Sequence, residues 1–316
     1  MSTKLSVHIS AFNSDIYQAE IAKLFPELET TISKGRDRHE GSFNCDILIG
    51  FGLGFSDEIF QRNKNLKFVQ ALGTGVDGID NRADFDKSIP VASTRGMHGP
   101  QMSELTFMIM LAFNRDFPHL LENQKNHLWE RKPPQVLYGK TVGLLGVGLI
   151  AEALAKRCKA FEMKVVGISG SNRDVEGIDE MRSRDDLLNA VSDLDYLILL
   201  APLTPENKNM VNADVLAAMK SSAYLINIAR GGVLDDDAII EALKSGTIAG
   251  AGLDVFEQEP LPEDSPFWDT PNLIVTPHTA GMSEIYVQQA MPVIENNLRA
   301  MIEGKPENLI NAVKIG

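Results

Sequence analysis

The chain has 316 residues, 44% of them hydrophobic and 23% charged, with a formal net charge of -13. At about 100–200 residues per domain, this length points to two domains with ample apolar material for their cores, and the acidic balance argues against nucleic acid or an anionic membrane as partner. No apolar run reaches the ~18–20 residues of a membrane span; the opening MSTKLSVHISAFNSD lacks the basic start and apolar core of a leader, and Cys45 and Cys158 stand far apart without metal-ligand spacing, so a cytoplasmic chain with reduced thiols and no metal is expected.

Short apolar runs alternate with helical stretches along most of the chain, the pattern of parallel sheets covered by helices. Three strands are predicted early, over 5–10, 46–50 and 67–71. Gly-rich turns follow the second (GFGLG, 50–54) and the third (GTGVDGID, 73–80). The apolar stretch 101–113 predicts a helix. Segment 115–138 differs: it carries Trp129, a charged ERK and Pro133-Pro134, and reads as an arm or linker rather than packed core. A second series opens at Lys140, with strands predicted over 141–145, 164–168, 196–200, 223–228, 248–253 and 273–276. Helices between them are expected to start near Leu149, Arg184, Asn212 and Asp235. Six such strands match a doubly wound dinucleotide-binding domain. A last helix over 283–303 is expected to return to the first domain and make it discontinuous. The expected architecture is thus α/β, two Rossmann-like domains with doubly wound parallel sheets: 1–99 with 284–316, flavodoxin-like, and 100–283.

Residues 146–151 read G-V-G-L-I-A, directly after the strand TVGLL and at the head of a helix. Gly146 permits a tight turn, and Gly148 lets backbone amides of Val147, Gly148, Leu149 and Ile150 approach a pyrophosphate at a helix N-terminus. Ala151 stands for the third glycine. A glycine turn that binds nothing, or another adenine ligand such as S-adenosylmethionine, is the competing reading. About twenty residues on, where an acidic residue would take the ribose of NAD, the sequence runs Ser169-Gly170-Ser171-Asn172-Arg173. Two hydroxyls (Ser169, Ser171) and the Arg173 guanidinium suit a 2′-phosphate, so NADP(H) is favoured over NAD(H); otherwise Arg173 is solvated and Asp174 takes the ribose.

Three residues follow predicted strands, where open α/β sheets bind their ligands: Arg230 in NIARGGVLDD, Glu259 in LDVFEQEP and His278 in TPHTAG. Reducing a 2-keto acid requires a grip on its carboxylate, a proton for the carbonyl oxygen and a means of keeping that acid protonated. Arginine suits the first with its planar fork, histidine the second, and a carboxylate beside the histidine the third. Each alone has a bland reading, as surface ion pair, solvated loop residue or structural histidine. His8, His39, His119 and His127 are assigned to that bland class.

Together these segments resemble the D-isomer-specific 2-hydroxyacid dehydrogenase family. GTGVDGID, GMHGPQMSE (96–104), GLLGVGLIA, APLTPEN (201–207), NIARGGVLDD, GLDVFEQEP and TPNLIVTPHTAG carry the likeness over nearly the whole chain, closest to the glyoxylate/hydroxypyruvate reductase-like branch. The resemblance implies a triad of Arg230 on the substrate carboxylate, His278 as proton donor and Glu259 holding its ring. It implies substrate contacts from the turn of Leu72, Gly73, Thr74 and Gly75, and cofactor contacts from Pro202, Ile228, Ala229, Asp254 and Gly281. It also implies a cleft between domains that closes on the substrate, and a homodimer through the cofactor domain. The 115–138 arm would then wrap the partner, with Trp129 in the interface or reaching the neighbour's substrate pocket. For Asp254 the alternative is a strand-end residue bonding local backbone.

Two departures stand out: the missing ribose acid, and a chain end at Gly316 from which the regulatory domain of long phosphoglycerate dehydrogenases is expected to be absent. Phe51 and Leu53 of GFGLG favour a small or apolar substrate side chain over a phosphate. The reading is therefore hydride transfer from NAD(P)H to a small 2-keto acid, giving a D-2-hydroxy acid. The same fold acting on bulkier apolar 2-keto acids and a nicotinamide-sensing binding protein are the alternatives.

Overall fold

The computed structural model describes residues 5–33, 44–56, 59–171 and 173–315; His39 and Asn172 lie outside them. The chain divides into two compact units, Met1–Met97 with Ser283–Gly316, and His98–Met282.

The first unit begins β1 (Ser6–Ser10), α1 (Ser14–Leu24), β2 (Glu29–Ile32), β3 (Ile47–Gly50), α2 (Ile59–Arg62), β4 (Phe68–Ala71) and β5 (Val91–Ser93). The second contains α3 (Gly99–Asn114), α4 (Phe117–Lys125), β6 (Thr141–Leu145), α5 (Leu149–Ala160), β7 (Lys164–Ser169), β8 (Glu180–Ser183), α6 (Leu187–Val191), β9 (Tyr196–Leu199), α7 (Ala213–Ala218), β10 (Tyr224–Asn227), α8 (Asp236–Ser245), β11 (Gly250–Leu253) and β12 (Leu273–Val275). The chain then returns to the first unit with α9 (Tyr286–Ile302) and β13 (Ala312–Val313).

In the first unit the strand order is β13-β5-β4-β3-β1-β2. Successive strand residues point to opposite faces. Ile47 and Ile49 accordingly meet Tyr17 and Ile21 of α1 and Ala290, Ile294 and Leu298 of α9. Leu48 between them joins Val69, Phe55 and Ile59 on the other face. The strands are parallel except β13, which pairs antiparallel with β5, Ala312 opposite Ala92.

The second unit orders its strands β12-β11-β10-β9-β6-β7-β8, all parallel among the described residues. Helices cover both faces, which is why these strands read as continuous apolar runs rather than alternating ones. Val142, Leu144, Tyr196 and Ile198 pack beneath α3 and α5, while Leu145, Leu197 and Leu199 face α6, α7 and α8. The seventh strand, β8, corrects the six expected. The order reverses between β6 and β9, so the ends of these strands form the crevice where open sheets take ligands. The arm expected over 115–138 holds the helix α4 followed by a run with no regular secondary structure, and presents Phe117, Leu120, Leu121 and Leu128 to solvent, with Trp129 90% exposed.

Candidate active site

The turn after β6 uses its two glycines for different reasons. Gly146 has φ 103, and a Cβ there would lie 2.5 Å from the Ala201 amide nitrogen. It belongs to the turn. Gly148 caps α5 with φ -124, and a Cβ there would meet nothing within 4 Å. No protein atom requires that glycine. The space it leaves lies at the N-terminus of a 12-residue helix, whose first amides have no intrahelical partner. Val147 and Ile150 are half-buried beside it, and Leu149 is exposed. Ala151, at the third position of the motif, is fully buried against the sheet. The cradle therefore fits a dinucleotide pyrophosphate by backbone geometry.

Beyond it, at the end of β7, the Ser171 amide donates to Ser169 Oγ at 3.2 Å, and the two hydroxyl oxygens lie 3.4 Å apart. Arg173 turns back toward the glycine turn, donating to Glu152 Oε1 at 2.8 Å and the Val147 carbonyl at 3.1 Å. A second guanidinium, Arg184, lies over the Ser169–Ser171 segment: its Nη2 would be 3.4 Å from a Cβ on Gly170. Pro202 is exposed after β9, its carbonyl accepting from Asn207 Nδ2. Ile228 and Ala229 are buried at the end of β10; the Ala229 amide donates to Asn227 Oδ1 at 3.1 Å. The Gly281 carbonyl accepts from Gln101 Nε2 at 3.3 Å.

Arg230, Glu259 and His278 sit on the loops that follow β10, β11 and β12, within one unit. Parallel strands deliver those loops to one edge of the sheet. His278 Nδ1 and Glu259 Oε2 are 2.6 Å apart, and Glu259 Oε1 accepts from the Phe256 amide at 3.0 Å. Burial pushes the Glu259 carboxyl up, but the bonds to His278 and Phe256 and the Arg230 charge outweigh it and hold the group below the ordinary carboxylate value. The Arg230 side chain donates from Nη1 to the Ala229 carbonyl at 2.6 Å. His278 occupies the left-handed region (φ 52), unusual for a residue with a Cβ. By contrast, burial pushes His8 and His98 down to about 4, keeping both neutral near pH 7. His8 lies between Thr31 Oγ1 and Ser33 Oγ, a structural role. His119 pairs with Glu130 on the arm, and His127 lies on the arm as well.

In the other unit, Leu72 is buried after β4 and Thr74 is exposed. The Gly73 amide donates to Thr94 Oγ1 at 2.8 Å, and the Thr94 amide donates to the Gly73 carbonyl at 3.0 Å. That turn is thus pinned within its own unit, with the Gly73 amide already engaged.

The family model described as D-isomer specific 2-hydroxyacid dehydrogenase, NAD binding domain, matches residues 107–280. The chain belongs to the D-isomer-specific 2-hydroxyacid dehydrogenase family. Among members of the family, a glyoxylate reductase from Thermofilum pendens is 35% identical over 264 residues, covering 80% of this chain and 77% of the relative. A D-3-phosphoglycerate dehydrogenase from Methanocaldococcus jannaschii is 33% identical over 280 residues, 86% of this chain and 53% of the relative, so the chain spans about half that relative's length. The crystal structure of an NADPH-dependent glyoxylate/hydroxypyruvate reductase from Sinorhizobium meliloti, with NADP and sulfate, superposes with a TM-score of 0.84 at 29% identity, covering 98% of each chain. No helix among the described residues is long and apolar enough to cross a membrane.

Sequence reasoning missed Arg184, because a residue 14 positions past Gly170 carries no local sign of lying over it. It also missed the Phe256 amide on Glu259 and the role of Thr276 and Thr279 beside Asp254. A threonine on each side of the histidine in TPHTAG was the available signal.

Proposed function

We propose that this dehydrogenase reduces a small 2-keto acid, of the glyoxylate or hydroxypyruvate kind, to a D-2-hydroxy acid. The observation that carries the reading is the 2.6 Å His278–Glu259 pair on the same sheet edge as Arg230. Arg230 grips the substrate carboxylate with its planar fork. The nicotinamide, when bound, supplies hydride. His278 hands a proton from Nε2 to the carbonyl oxygen, since Nδ1 faces Glu259. The Glu259 carboxylate stabilises the imidazolium and fixes which nitrogen faces it.

NADP(H) is the proposed cofactor. Ser169, Ser171 and Arg184 flank the turn where a 2′-phosphate would lie, and no carboxylate stands from Ser169 to Arg173 to repel it. Arg173 would have to leave Glu152 to take part. A homodimer is proposed through the cofactor domain, with the apolar arm covered by a second copy, in a cytoplasm that suits two buried, unbridged thiols.

Initial rates with limiting NADPH and NADH, each against glyoxylate, hydroxypyruvate, pyruvate and a branched 2-keto acid, test the reading. Faster turnover with NADPH and the small acids supports it. Equal or better turnover with NADH refutes the cofactor assignment, and preference for the branched acid refutes the substrate class.

A further inference from the structure

The family likeness assigns Asp254 to the nicotinamide carboxamide, yet its carboxylate is fully buried and occupied by the protein itself. Oδ1 accepts from the Thr276 hydroxyl at 2.6 Å, the Thr279 amide at 2.9 Å and, at 3.5 Å, the Thr279 hydroxyl. Oδ2 accepts from the Ala280 amide at 2.9 Å. A carboxylate offers about four lone-pair sites, two on each oxygen; these donors fill those of Oδ1 and take one of the two on Oδ2. The donors bracket His278 in sequence, two positions before it and one and two positions after. The Asp254 carbonyl takes the His278 amide as well, at 2.8 Å.

That arrangement supplies what His278 lacks. His278 holds a left-handed backbone (φ 52) that is strained for a residue with a Cβ, and the bonds between Asp254 and the residues on either side of it fix that conformation. A buried carboxylate, for its part, has to recover its lost hydration from donors in place. We infer that Asp254 is a positioning residue for His278: it clamps the 276–280 loop from both sides and thereby sets the imidazole against Glu259. The inference rests on the reading of His278 as the proton donor.

Asp254→Asn keeps the shape but turns one acceptor into a donor facing the loop's own N–H groups. Reduced-nicotinamide affinity, read by fluorescence, is expected to stay within about twofold, while kcat at saturating cofactor and acid falls about ten- to hundredfold, the scale of a misplaced reacting group. The downfield proton resonance of the His278–Glu259 hydrogen bond is expected to be lost. Thr276→Val removes the shortest donor alone and should move kcat and the resonance the same way, less far. Cofactor affinity weakened more than about tenfold, with saturated kcat and the resonance unchanged, overturns the inference in favour of direct carboxamide binding. Should Asp254→Asn fail to fold, an unchanged kcat and resonance in Thr276→Val overturn it equally. A wild type that reduces no 2-keto acid sinks the proposed function, and the resonance, which needs no turnover, still decides on Asp254.

Discussion

Replacing each glycine of the 146–148 turn by alanine should separate folding from binding. At Gly146 a Cβ would sit 2.5 Å from the Ala201 nitrogen, 2.7 Å from its Cα and 2.8 Å from the Leu200 carbonyl carbon, all backbone, at φ 103. Displacing two packed segments costs about 1–3 kcal/mol, and the positive φ adds about 1–2 kcal/mol. For a unit of this size that lowers Tm by roughly 4–20 °C. At Gly148 the same methyl enters open space at φ -124, so Tm should move by less than about 2 °C. What it should remove is close approach of the pyrophosphate, raising the cofactor Kd about tenfold or more, equivalent to 1.4 kcal/mol or above. Calorimetry and cofactor fluorescence titration on both variants read the two effects. An unchanged Kd for Gly148→Ala would refute the cradle, and an unchanged Tm for Gly146→Ala would refute the packing argument.

Other parts of the molecule respond differently. Glu259→Gln removes the charge that faces the His278 ring, so the alkaline limb of the reductive kcat/KM profile should move to lower pH; an unmoved limb removes Glu259 from its role. Asp236 is pushed up to about 6 by burial first and then by Glu257, Asp235 and Asp237. A raised carboxyl costs stability as pH rises through that value, so Asp236→Asn should gain about 1 kcal/mol at pH 7.5 after allowance for its partial exposure, roughly 2–4 °C in Tm, and nothing near pH 4. Equal Tm at pH 7.5 contradicts this. On the arm, Leu121→Glu should convert a dimer to monomer in light scattering while leaving the far-UV spectrum unchanged; a wild type already monomeric refutes the assembly.

The parts of this fold that were legible in the sequence are those with local chemistry. TVGLL followed by GVGLIA announces strand, turn and helix in one stretch, and the structure draws them over Thr141–Leu145 and Leu149–Ala160. The placement of Arg230, Glu259 and His278 on one sheet edge was legible because each lies past an apolar strand, buried in β10 and β11 and half-buried in β12, that parallel pairing brings to that edge. The strand β8 was not, since Glu180–Ser183 reads EMRS and none of its four residues is buried. Its place is set by pairing with β7 and by charges: Glu180 on Lys164, and Arg182 on Asp193. The strand β13 is two residues long and exists because the chain end meets β5, a pairing no local pattern encodes. The engagement of Arg173 with Glu152, 21 residues earlier, was equally invisible. Under the proposed NADP(H) reading it shifts attention from that arginine to Arg184, which lies over Gly170.

The most direct test of the whole account follows loss of reduced-nicotinamide absorbance by the wild type and by His278→Ala with glyoxylate or hydroxypyruvate, with cofactor affinity measured on both. The account predicts turnover by the wild type and its loss in a variant that still binds cofactor; undiminished turnover in His278→Ala would contradict it.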